Sequence, residues 1–116
     1  DDLRSNELLQ VLRDQFAASV TRPDAWEWLR QHADAVLARL PETSHGRIAK
    51  YPEQFCSPER RAEITAFLEP RVESLFGGPR TLDQTLEKVD LCIALKQARG
   101  EQVAQAMAAA EPVPAP

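Results

Sequence analysis

Two histidines, two cysteines and a handful of carboxylates are the residues here whose types could do chemistry. Hydrolytic metal chemistry needs three protein ligands around one ion, most often an H-E-x-x-H pair on a helix plus a third donor. His32 and His45 are isolated, neither has a Glu beside it, and neither stands at zinc-ligand spacing from Cys56 or Cys92. General acid–base work needs paired carboxylates, and Glu87 with Asp83 or Asp90 is the nearest approach to a pair. These acids, with Asp34 and Glu63, stand among Lys and Arg, so a solvated face or a helix-to-helix ion pair accounts for them better. Gly77-Gly78-Pro79 before a helix could offer amides to an anion, but no G-x-x-x-x-G-K-[ST] or G-x-G-x-x-G follows. The sequence therefore predicts no catalytic and no metal-binding residue. Arg80 is the one candidate binding residue. A cation in the first turn of a helix opposes the dipole and gains nothing locally; a carboxylate partner, within the domain or on a peptide, would explain it, and a plain surface Arg is the commoner alternative.

Bulk properties narrow the classes further. The chain has 116 residues, net charge −4 and a 43% hydrophobic content. That is enough for one core, with no apolar run near the roughly 20 residues of a membrane span. Its 11 Arg and 3 Lys form no basic stripe beyond Arg60-Arg61, which argues against nucleic acid as a partner and, with the apolar pattern, against a membrane. No targeting segment is visible, and a cytoplasmic location is expected. Two cysteines in a chain with an adequate core need no bridge, so reduced, buried thiols are expected at Cys56 and Cys92.

The elements that must position these residues read as helices throughout. Ser5 or Asn6 can cap a first helix bearing Leu9, Leu12, Phe16 and Val20. Thr21-Arg-Pro-Asp24 starts a second, with Trp26, Leu29, Ala33, Val36, Leu37 and Leu40 on one stripe and Pro41 at its end. Trp26 and Trp28 point about 200° apart on the wheel, so Trp26 belongs to the core and Trp28 is partly covered. Residues 43–51 form a shorter helix broken by Pro52, and Ser57-Pro58-Glu59 caps another, with Ile64, Phe67 and Leu68 on its face. A long helix follows over 79–98, with a weak one over 101–109 after Gly100. Leu82, Leu86, Val89 and Ile93 make one stripe of the long helix, and Leu91 and Leu95 lie half a turn away. An apolar surface on both sides predicts that it is the most buried helix, wrapped by its neighbours. The architecture is all-α: antiparallel helical hairpins, either a fragment of an ARM/HEAT-like superhelix or a compact bundle. Residues 1–110 make one domain and 111–116 a mobile Pro-rich tail.

Several stretches resemble a known family when taken in order. They are an opening Leu-Arg-Ser-Asn-Glu (3–7), an Ala-Trp-x-Trp-Leu helix (25–29), Phe-Cys-x-Pro-Glu (55–59) before a helix closing in Phe-Leu, and Arg-x-Leu-x-Gln-x-Leu-Glu (80–87). Together they resemble the C-terminal helical domain of zinc aminopeptidases of the aminopeptidase N and puromycin-sensitive type over residues 3 to 108. Leu91-Cys92-Ile93, where many relatives carry Asn and Ile followed by Trp, fits a bacterial subgroup. The resemblance implies a superhelical cap over an active-site chamber, filtering which peptides reach it. It places the zinc, its H-E-x-x-H and the run gripping the substrate amino terminus in an upstream catalytic domain. That domain and peptide substrates are then the partners, and this chain alone is no enzyme. A free-standing HEAT-like module that binds a protein partner is the alternative.

Overall fold

The computed structural model describes residues 2–110, with side chains from Ser5 onward; the expected tail, 111–116, lies outside the described residues. Four α-helices, α1 (Asp2–Ala17), α2 (Arg22–Arg39), α3 (Pro58–Leu68) and α4 (Gly78–Ala109), are linked by 3-10 segments at Glu42–Ala49, Tyr51–Gln54 and Val72–Ser74. No strand occurs among the described residues, so the fold is all-α. None of these helices is long and apolar enough to cross a membrane.

Leu9, Leu12 and Phe16 bury the expected face of α1, but Val20 is 86% exposed because the helix stops at Ala17. Ser5 is no cap. The helix already starts at Asp2, and the Ser5 hydroxyl donates instead to the Arg39 carbonyl at the far end of α2 (2.9 Å). Thr21 does not cap α2 either: its backbone is helical, and its hydroxyl donates back to the Gln15 carbonyl (2.6 Å). The free carbonyls ending α1 go to the next side chain, Arg22, whose Nε donates to Phe16 (2.6 Å) and Nη2 to Ala17 (3.1 Å). Ser57 caps α3 as its sequence predicts, with an extended backbone and Oγ accepting from the Arg60 amide (3.2 Å).

The core centres on α2 and α3. Trp26, Leu29, Ile64 and Leu68 are fully buried, joined by Ile48 and by Val89 of α4. Trp26 meets Phe67 edge to face at 5.5 Å and Phe55 at 6.1 Å, the arrangement the ring quadrupoles favour. Two glycines set how closely the chain folds back. A Cβ on Gly46 would run into the Phe76 carbonyl, and one on Gly78 into the Val72 carbonyl. Gly77 takes the left-handed backbone (φ 67°) that turns the chain into α4.

Two expectations about α4 fail. Gly100 does not interrupt it: one helix of 32 residues runs from Gly78 to Ala109. Nor is 79–98 the most buried helix. Leu82, Thr85 and Val89 are buried and Leu86 and Ile93 partly so, but Leu91 and Leu95 are 60% and 55% exposed, and every residue from Ala94 to Ala110 faces solvent. The other described elements pack against the start of the helix alone. They wrap only the first half, and the second half projects as a rod, giving the molecule extents of 75 × 25 × 19 Å.

Candidate functional site

Both histidines are occupied as carbonyl caps. His45 Nε2–H donates to the Leu37 and Leu40 carbonyls (2.9 and 3.1 Å), closing the end of α2. His32 Nδ1–H donates to the Trp28 carbonyl (2.8 Å) where α2 kinks, at His32 itself (φ −119°, ψ 16°). Its ring stacks on the half-exposed Trp28 at 4.5 Å. No group of three or more His, Cys, Asp or Glu that could hold a metal occurs among the described residues.

Two of the carboxylates singled out by sequence, Asp90 and Glu63, serve as ties between helices, whereas Asp34, Asp83 and Glu87 make no ion pair among the described residues. Asp90 on α4 accepts from Arg61 on α3 through both oxygens (2.5 and 3.2 Å). Glu63 accepts from the indole N–H of Trp26 (3.0 Å) and from Arg60 (3.0 Å), with Arg30 at 3.8 Å. Four arginines lie on aromatic faces at the edge of the core: Arg22 and Arg60 on Phe55, Arg30 on Trp26, and Arg71 on Phe67, the last at 4.1 Å. Arg80 stands exposed in the first turn of α4 and makes no ion pair with any described residue.

The cysteines overturn their expectation. Cys56 and Cys92 are bonded, with Cα atoms 5.3 Å apart, so the chain has no free thiol. Both sit at the margin of the core and are half-buried, Cys56 in the extended strap before α3 and Cys92 where α4 leaves its support. Adequate apolar burial elsewhere does not cover that margin, which is why composition misled.

A groove of about 790 Å³ opens between α1 and the 3-10 segments. Its walls carry three cations, Arg13, Arg47 and Lys50, and two acids, Asp14 and Glu53. The acids are engaged, Asp14 by the Gln10 amide (2.9 Å) and Glu53 by Lys88 (3.1 Å), whereas Arg47 and Lys50 have no ion pair among the described residues. Tyr51 stacks flat on Phe16 at 5.3 Å in the groove wall, its Oη buried without a hydrogen-bond partner among the described residues. Burial pushes the phenol up to about 12, against the pull of the positive Arg47 and Arg13 nearby. The residues that line the groove include no Ser, Cys or His. Sequence reading missed it because its residues come from three elements, and only Arg13, one turn from Leu9 and Phe16 on α1, shows any pattern.

The ERAP1-like C-terminal domain matches residues 1–91 of the chain. That span covers α1 to α3 and the first part of α4, and ends one residue before Cys92. Neither a curated protein nor a solved structure matches.

Proposed function

Starting from the chain's membership of the ERAP1-like C-terminal domain family, which makes it an aminopeptidase-type C-terminal domain, we propose that its parent is a zinc aminopeptidase. In that enzyme the domain caps the active-site chamber and controls which peptides enter. The observation that carries this reading is the family match over residues 1–91. In it, zinc and the groups that act on the scissile bond belong to the catalytic domain, and this domain offers surfaces alone. A distal cap touches only the far part of a long substrate or shifts the balance between open and closed chamber, so its effects fall on peptides and spare small substrates.

Arg80 is the side chain assigned to that task here. It is exposed and unpaired at the start of α4, free to meet a peptide carboxylate or one on the neighbouring domain. A guanidinium binds a carboxylate through two parallel hydrogen bonds, which gives direction as well as attraction. The test replaces Arg80 by Ala in the full-length enzyme and compares an aminoacyl anilide with a decapeptide. Losing one charge-assisted contact, worth about 1.5–3 kcal/mol, should lower kcat/KM for the peptide roughly tenfold or more and leave the anilide unchanged. Equal loss on both substrates, with the protein folded, would overturn the reading.

A further inference from the structure

We infer that the Cys56–Cys92 disulfide is a reducible pin on which the outer half of α4 hinges. The apolar support of α4 ends at Val89, fully buried, and Ile93, partly so. At that border residues 53–61 grip the helix in three places: Glu53 pairs with Lys88 (3.1 Å), Cys56 is bonded to Cys92, and Arg61 pairs with Asp90. At about 100° per residue, Lys88 and Cys92 lie some 40° apart, while Asp90 lies about 160° from Cys92. The strap therefore holds α4 from both flanks. Each ion pair joins side chains of which at least one is more than half exposed, and such pairs contribute little. The covalent link dominates the joint.

Three features make this joint a switch and not a general staple. Neither cysteine belongs to the buried core cluster, so the bond lies at its edge and the body is expected to keep its packing when it opens. Both cysteines are half-buried, within reach of a small dithiol. The family match, finally, ends at residue 91, so the rod that the bond anchors lies outside the matched unit. Opening proceeds by exchange. A thiolate of the dithiol attacks one sulfur and releases the other cysteine as a thiolate. The second thiol of the reagent then resolves the mixed disulfide, so that two electrons pass to the protein and the reagent leaves as its own disulfide.

The experiment follows amide hydrogen exchange in the disulfide-bonded chain, after reduction with dithiothreitol, and after reoxidation. Protection should fall by about tenfold or more in 53–61 and 88–109, stay unchanged around Trp26, Leu29 and Ile64, and return on reoxidation, since sub-global opening is confined to its own unit. A Cys56→Ser, Cys92→Ser double variant should reproduce the reduced pattern with no reagent present. Unchanged exchange in 88–109 on reduction would show that the ion pairs and Ile93 suffice. Loss of protection across the whole core would show a global staple. Either outcome overturns the hinge, and neither bears on the peptide-gating reading of Arg80.

Discussion

Gly46 and Gly100 are the same residue under opposite constraints. Gly46 is buried against the backbone of the turn before α4, where an added methyl would strike the Phe76 carbonyl. Backbone cannot swing aside as a flexible side chain would, so Gly46→Ala should destabilise the body by about 1–3 kcal/mol in urea melts. Gly100 has open space around it inside an exposed helix. Gly100→Ala should instead strengthen α4 by about 0.5–1 kcal/mol, visible as greater ellipticity at 222 nm. Tyr51, the chain's single tyrosine, gives a pH signature. Its phenol ionises near 10.0 in the unfolded chain and about 12 in the folded one. Between those values the unfolded chain has released its proton while the folded chain retains it. The stability this group contributes is therefore intact below pH 10 and lost as pH rises toward 12. Ultraviolet titration of the phenolate should find the raised midpoint, and Tyr51→Phe should flatten the alkaline decline in stability. An ordinary midpoint would mean the ring is wetter than the structure has it.

Among the elements, Ile64 and Ile93 separate what burial can and cannot be read from sequence. Both stand on apolar helical stripes, yet Ile64 is fully buried and Ile93 only partly. Ile64→Ala should cost about 2–5 kcal/mol in chemical denaturation, and Ile93→Ala clearly less than that. Equal costs would show that α4 is covered farther out than its exposed Leu91 and Leu95 indicate. The periodicity of α1, α2 and α3, the Ser57 cap and the core placement of Trp26 were legible because they rest on contacts within one helix or on a single wheel position. The extent of α4's cover was not, since an apolar run records what a helix can bury and is silent on how much chain remains to bury it. Thr21 misled for a related reason. A good capping residue was present, but Arg22 beside it reached the end of α1 and fixed the turn first. The Arg80 position could be named from its unfavourable place on the dipole, whereas the groove around Tyr51 joins residues far apart in sequence and left no local mark.

At the scale of the molecule, the projecting half of α4 dominates the shape. The radius of gyration is 18.8 Å, against about 13 Å for a compact globule of this length. Small-angle scattering should return a value near the larger figure, and a chain ending at residue 93 should drop toward the smaller while its melting midpoint holds. A full-length value near the smaller figure would mean that the rod folds back on the body. The arginines laid on Phe55, Trp26 and Phe67 also separate the response of body and rod to ionic strength. Screening at about 1 M salt, with a Debye length near 3 Å, weakens the exposed pairs Glu53–Lys88 and Arg61–Asp90. A guanidinium over a ring keeps its dispersion contact and its cover of the apolar face under the same conditions. In the reduced chain, where the covalent link no longer dominates, concentrated brine should accordingly loosen the grip on α4 while the aromatic cluster beneath its arginines stays closed, so the body tolerates a saline environment better than its joint does.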